Sequence, residues 1–291
     1  MVEVGKEGLR GHLLSMAREF RDPAGREVRV LADEDALVLA SRHGCGLSRV
    51  YHEALEAGIC PYRYVRNRDS VSLEEQLSLA RGRVAVVGAG GLGGHVILLL
   101  ARIGVGSLVV VDCDVFDETN LNRQALCRTS TLQKSKAGEA AAQVRDINPG
   151  VEVTAHPVKV DDSNIREVLA GAQVAVDALD NVRDRLILER GAKSLQIPLV
   201  HGALAGFDGQ VMTVFPEDRG LSLVYGRDAP QEKDPRSPEA VLGVPALMPC
   251  LIATLEAAEV LKILLGRGSP VRNSLLHVDL LAGEMNRFVF A

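Results

Sequence analysis

The sequence predicts an α/β fold, Rossmann-like and doubly wound, with a largely parallel sheet, an antiparallel extension and a small helical appendage at the N-terminus. Three observations predict it. The stretch RVAVVGAGGLGG, Arg83 to Gly94, is an apolar strand that stops at a glycine turn and runs straight into a helix. Strand-like and helix-like segments then alternate from Ser107 to His201, the order of a parallel sheet with crossover helices. The last segments, Ser274 to Leu281 and Asn286 to Phe290, read instead as a terminal hairpin.

Composition bounds the function. With 291 residues and 47% hydrophobic content, the chain can bury a large core in one big α/β domain or two smaller ones. Its formal net charge of -5, with both signs interspersed, exerts no long-range pull on nucleic acid or anionic membrane. The longest apolar region, Val96 to Val111, is broken by Arg102 and Gly104, and MVEVGKEGLR has no apolar signal core, so a cytoplasmic protein without a membrane span is expected. Five scattered cysteines, Cys45, Cys60, Cys113, Cys127 and Cys250, fit a reducing compartment, and each reads as a small buried apolar residue.

In chain order, Glu34 to Arg42 and Leu47 to Ala57 are helix-like around the glycines of His43-Gly44-Cys45-Gly46, and Gly58 and Pro61 close the appendage. The pair has the outline of a helix-turn-helix. Its second helix sets Arg49 and His52 against Glu53 and Glu56, so packing rather than DNA binding is expected. Tyr62 to Arg68 is basic and aromatic and reads as a solvated linker before a helix at Leu73 to Ala80. After the strand at Val84 to Val87, the spacing Gly88, Gly90, Gly93 lets backbone approach a phosphate, and the helix over Val96 to Arg102 offers its N-terminal amides to an anion. The strand Ser107 to Val111 ends at Asp112, where an acid can bond a ribose hydroxyl.

Asn120 to Gln124 is too polar for core and too short for an amphipathic helix, and reads as a site loop. Lys134 and Lys136 introduce a helix through Ala137 to Ile147, stopped by Asn148-Pro149-Gly150. Val151 to Ala155 is strand-like, Ile165 to Ala170 helix-like, and Gln173 to Ala178 a strand ending at Leu179-Asp180-Asn181. Ligands of open α/β sheets sit beyond the carboxyl ends of the strands, so Asp112 and Asp180 are expected to face one crevice; the bland alternative makes Asp180 a cap for the helix Val182 to Ala192. Pro198 to His201 and Gln210 to Phe215 read as strands, 217–243 as a mobile loop, and Ile252 to Leu265 as a helix closed by Gly266.

Two enzyme classes use such a glycine turn. A dehydrogenase needs an acid/base pair over a nicotinamide, and none is evident. Nucleotidyl transfer needs cations, a metal and alignment around a triphosphate, which Arg66, Arg123, Lys136 and a Mg2+ on Asp180 could supply. A non-enzymatic nucleotide-binding scaffold and an NAD-binding protein remain the other readings.

Together, GAGGLG at 88–93, Asp112-Cys113-Asp114, Asn120-Leu121-Asn122-Arg123-Gln124, Lys136 and Asp180-Asn181 closely resemble the ThiF/MoeB/HesA family of ubiquitin-activating-like adenylyltransferases. The resemblance runs from Arg63-Tyr64-Val65-Arg66 to the helix carrying Glu259 and Lys262. It implies a ThiF-type adenylation domain over 61–291, with 1–60 an extension that has no counterpart. It further implies that Gly88, Gly90, Gly91 and Gly93 approach ATP, that Asp112 holds the ribose with Asp114 in the same nucleotide-binding set, and that Asn120, Arg123 and Lys136 hold phosphates. Asp180 would bind Mg2+. Arg66 would reach the triphosphate of the other subunit, so a homodimer with composite sites is implied.

The implied reaction is adenylation of the C-terminal glycine of a small ubiquitin-like sulfur carrier ending in Gly-Gly, with pyrophosphate released; a peptide or tRNA acceptor is the alternative within the family. Three departures qualify the match. Gly220-Leu221-Ser222-Leu223-Val224-Tyr225-Gly226 stands where the family's first Cys-x-x-Cys zinc motif would be, and a second is absent, so no zinc is expected. The loop 217–243 contains no cysteine, so a thioester or persulfide step on that loop is not available, and whether the reaction goes beyond the acyl-adenylate stays open. The first 60 residues are the third departure.

Overall fold

A computed structural model describes residues 4–226 and 236–290; part of the expected mobile loop, 227–235, lies outside the described residues. The chain divides into two compact units. The first comprises residues 1–82 with Ala101–Ser107 and Arg145–Glu152, the second Arg83–Leu100, Leu108–Val144 and Val153–Ala291.

The first unit holds α1 (Val4–Met16), β1 (Arg18–Arg21), β2 (Glu27–Leu31), α2 (Asp33–His43), α3 (Leu47–Glu56), β3 (Cys60–Pro61), a 3-10 turn (Tyr62–Asn67) and α4 (Leu73–Ala80). Helix α2 carries Asp33, Glu34 and Asp35 in its first turn and Arg42 and His43 in its last, matching the helix dipole, and Gly44 ends it at φ 59°. Leu9, Leu13, Leu39, Val50 and Ile59 form its core. The appendage is more than helical: β1, β2 and β3 make a three-stranded sheet, antiparallel at β1/β2 and parallel at β2/β3. Nor is Tyr62 to Arg68 a solvated linker throughout, since Tyr64 and Val65 are buried and the Tyr64 hydroxyl accepts from Asn148 Nδ2 at 2.8 Å. Arg63 donates to Asp33 and to the Ile147 carbonyl, which fixes the turn.

The second unit contains β4 (Arg83–Val87), α5 (Gly91–Ile103), β5 (Ser107–Val111), α6 (Lys136–Ile147), β6 (Glu152–His156), α7 (Ile165–Val168), β7 (Val174–Asp177), α8 (Val182–Ser194), β8 (Leu199–Ala205) and β9 (Asp208–Val214), with the ends of α5, β5, α6 and β6 shared with the first unit. It continues with α9 (Ser222–Tyr225), α10 (Pro238–Leu242), α11 (Leu247–Leu265), β10 (Ser274–Asp279) and β11 (Glu284–Val289). The eight strands run in the order β11-β10-β9-β8-β7-β4-β5-β6. Pairing is parallel at β4/β7 and β7/β8 and antiparallel at β8/β9, β9/β10 and β10/β11, as expected of a doubly wound sheet with an antiparallel extension.

This order sets a topological switch point, the place where open α/β sheets hold a ligand. From β4 the chain steps outward through β5 to β6, then returns to lay β7 on the other side of β4, so the strand order reverses at β4/β7. Strands β4 and β7 are buried almost throughout, as sequences that are apolar apart from Arg83 at the start of one and Asp177 at the end of the other require. On α11, buried Glu259 accepts from the Thr213 hydroxyl at 2.6 Å and the Val271 N–H at 2.7 Å and pairs with Lys262, tying the helix to β9.

Candidate active site

Glycines of the turn after β4 divide into two kinds. Gly88 has φ 99°, and a Cβ on it would overlap the Ala178 carbonyl; a Cβ on Gly93 would overlap the carbonyl of Gly88. These two are demanded by the protein's own backbone where β4, β7 and α5 meet. Gly90 and Gly91 are different. A Cβ there would meet only the Gln124 amide at 3.7 Å, or Arg123 Cγ at 3.7 Å and Pro249 Cγ at 3.6 Å, all ordinary contacts. Packing does not require glycine at either position, so the bare backbone at the start of α5 fits a ligand that lies against it.

Asp112 closes the turn from the next strand. Its Oδ2 accepts the Ala89 N–H at 2.7 Å and its Oδ1 the Asp114 N–H at 2.8 Å. Burial pushes its carboxyl above the usual range, opposed by those two hydrogen bonds and by the Lys136 charge. Lys136 opens α6 and is buried, its Nζ 3.0 Å from Asp114 Oδ2, while its N–H donates to the Asp114 carbonyl at 2.9 Å. A buried ammonium with one carboxylate on it is a site cation held ready. Ligand atoms of Asp112, Cys113 and Asp114 lie within 4.8 Å of one another, but both acids are already engaged in these bonds.

Asn120 is buried and works inside its own turn: its Oδ1 accepts the Asp117 N–H at 3.0 Å, reciprocating the Asp117 cap. That turn sets Arg123, half-buried, with Nη1 on the Thr119 carbonyl at 3.0 Å and on Asn122 Oδ1 at 2.9 Å. Gln124 beside it is buried, and its Oε1 has no hydrogen-bond partner among the described residues. An orphaned amide oxygen next to Gly90 suits a polar ligand at the glycine turn.

Two residues after Ala178, whose carbonyl faces Gly88, stands exposed Asp180. The helix cap is Asn181, its Oδ1 accepting the Asp184 N–H at 2.9 Å, so Asp180 is not the cap. The structure brings Gly88, Gly90, Gly91, Gly93, Asp112 and Arg123 to one turn and links Asp114 and Lys136 to it through Asp112, with Asp180 two residues beyond the Ala178 that packs on Gly88; the hydrogen bonds of Asn120 stay within its own loop. Arg66 belongs to the first unit, exposed on the 3-10 turn. Exposure also corrects the cysteine expectation: Cys60 and Cys127 are buried, but Cys113 and Cys250 are exposed.

Residues 64–290 match the ThiF family. The chain belongs to that family. Among its relatives is the SAMP-activating enzyme E1 of Haloferax volcanii, 41% identical over 221 residues, spanning 75% of this chain and 80% of that one. The sulfur carrier protein adenylyltransferase of Thermus thermophilus is 37% identical over 223 residues, covering 75% and 82% of the two chains. Among solved structures, the complex of E. coli MccB with AMPCPP and MccA superposes with a TM-score of 0.66 at 20% identity, over 79% of this chain and 72% of that one, a likeness of fold.

A sequence reading misses the groups behind the ThiF-family motifs. His95 on α5 is held below its ordinary pKa by burial, against the backbone of Arg123. Asp177 and His201 are fully buried in the sheet and bonded to each other at 2.7 Å. The available signal was a polar residue in each of two otherwise apolar strands, VAVD and LVHGALA.

Proposed function

We propose that this chain uses ATP to adenylate the C-terminal glycine carboxylate of a small ubiquitin-like sulfur-carrier protein. The observation that carries the reading is buried Lys136, paired with Asp114 beside a glycine turn whose Gly90 and Gly91 no packing demands. The names of the Haloferax and Thermus relatives support the acceptor class and the use of ATP. A terminal carboxylate oxygen attacks the α-phosphorus, the bond to the β-phosphate oxygen breaks, and pyrophosphate leaves with the electron pair. Charge builds on the phosphate oxygens, and positioned cations lower that barrier more than any covalent assistance.

We assign Gly88, Gly90, Gly91 and Gly93 to the nucleotide backbone and Asp112, with Asp114, to the ribose side. Arg123 and Lys136 hold phosphates, with Asn120 shaping their loop. Asp180 holds Mg2+, an exposed carboxylate being a suitable oxygen ligand; the ion supplies charge neutralisation on the triphosphate. Arg66 completes the partner's site in a homodimer. No structural zinc is assigned, and the protein is placed in the cytoplasm; no helix among the described residues is long and apolar enough to cross a membrane. We take 61–291 as the adenylation domain and 1–60 as an extension; the family match over 64–290 supports that boundary.

Exchange of labelled pyrophosphate into ATP tests the reaction. It should depend on a Gly-Gly-ending ubiquitin-like protein and fall about 100-fold or more in Asp180→Asn. Unchanged exchange in that variant would remove the metal assignment, and no exchange with any such acceptor would remove the function.

A further inference from the structure

Strands β7 and β8 carry a buried polar network that the proposed chemistry leaves unused. Asp177 and His201 have no exposed surface and Arg185 is 4% exposed. The Tyr225 hydroxyl accepts from Arg185 Nη1 and from Gln210 Nε2, the latter at 3.3 Å, so its proton points to His201 Nε2 at 3.1 Å. That assigns the histidine proton to Nδ1, which donates to Asp177 Oδ2 at 2.7 Å.

What the network grips is one residue. The second oxygen of Asp177, Oδ1, accepts the Leu179 N–H at 3.0 Å. Arg185 donates to the Leu179 carbonyl from Nη2 at 2.7 Å and from Nε at 3.2 Å. Both backbone polar groups of Leu179 are therefore held, and its carbonyl belongs to the peptide that enters Asp180. On the far side Asn181 is pinned as the cap of α8. Asp180 is suspended between two fixed points. Such over-determination of a turn by buried Asp177, Arg185 and His201 with half-buried Tyr225 is more than folding the turn requires, because a turn at the surface satisfies its own amides with water.

We propose that Asp177, Arg185, His201 and Tyr225 are positioning residues that fix the Leu179–Asp180 peptide and so aim the Asp180 carboxylate at the divalent cation accompanying ATP. The inference rests on the reading of Asp180 as a cation ligand. Groups that orient a metal ligand typically change metal affinity about 10- to 100-fold when removed. Tyr225→Phe deletes the hydroxyl that three partners share while keeping the ring.

Mn2+ serves as the probe, its binding counted by electron paramagnetic resonance on the whole protein saturated with an ATP analogue carrying a methylene between its α- and β-phosphates. Tyr225→Phe should weaken Mn2+ binding about tenfold and leave metal-free affinity for the analogue unchanged. Asp180→Asn should weaken it at least as much, and adding Tyr225→Phe to Asp180→Asn should change nothing further. Where Tyr225→Phe does not fold, His201→Asn serves the same comparison, since it can still donate to Asp177 but cannot reach Tyr225. Wild-type Mn2+ affinity in the network variant, with affinity lost in Asp180→Asn, overturns the positioning role and spares the ligand. Parallel loss of Mn2+ and metal-free analogue affinity also overturns it, as general damage. Wild-type affinity in Asp180→Asn overturns the ligand assignment and this inference with it.

Discussion

Glu256 on α11 is fully buried, and neither carboxyl oxygen has a hydrogen-bond partner among the described residues. A Cβ on Gly202 would stand 2.6 Å from its Cδ, so glycine on β8 makes room for it. Burial holds its carboxyl well above the ordinary value of 4.5, with Asp177 adding to the effect and Arg185 opposing it. Above about pH 4.5 the unfolded chain releases this proton while the folded chain keeps it, so the group's contribution to stability falls as pH rises toward the folded pKa. Glu256→Met removes both that dependence and an unpartnered polar group, worth about 1–3 kcal/mol. Denaturant midpoints should rise for the variant at pH 8 and by less at pH 5; a gap that stays constant with pH would show that Glu256 ionises in the fold. Residue chemistry of this kind is poorly legible in sequence. Asp112 and Lys136 stand beside recognisable motifs, whereas Glu256 and His201 sit within apolar segments where only tertiary packing says what surrounds them.

At the level of elements, the glycine turn joins β4 to α5 by two contacts that no side chain fits. Gly93→Ala forces a methyl into the Gly88 carbonyl and should destabilise the protein by about 3 kcal/mol or more, seen as a lower thermal midpoint. Gly91→Ala meets ordinary contacts and should keep the fold, while weakening ATP about tenfold by occupying the surface the phosphates need. Full ATP affinity in Gly91→Ala would mean that the nucleotide lies elsewhere. Most elements were legible because long apolar runs and glycine or proline stops mark them: β4, β5, α6, α8 and α11 fall where the pattern places them, to within a few residues. Strands β1 and β2 were not, since REFR and EVRVL are four and five residues of mostly charged or alternating sequence whose pairing partners are visible only in space. Helix α1 leaves no clear sequence signal for a related reason, its glycines Gly5, Gly8 and Gly11 lowering helix propensity that packing of Leu9 and Leu13 restores.

For the whole molecule, Arg66 decides whether one chain suffices. It is exposed on the 3-10 turn of the first unit, where a planar guanidinium gains little from packing and suits phosphate oxygens. If it serves the partner's site, Arg66→Ala and Asp180→Asn homodimers are each nearly inactive. Equal mixing with subunit exchange should then recover about a quarter of wild-type exchange activity, because about half the dimers are mixed and each has one intact site of two. No recovery despite demonstrated exchange would confine Arg66 to its own chain.

If AMP is transferred to the carboxylate of an acceptor protein, the α-phosphate of ATP must end on that acceptor. The chain is incubated with ATP labelled at the α-phosphorus and a small ubiquitin-like protein ending in Gly-Gly, and the products are separated under acid, where acyl-adenylates survive. Label should travel with the acceptor, vanish on addition of hydroxylamine or pyrophosphate, and be absent when the terminal glycine is deleted. Label that stays in ADP, or on this chain alone, would show that no acceptor carboxylate receives AMP.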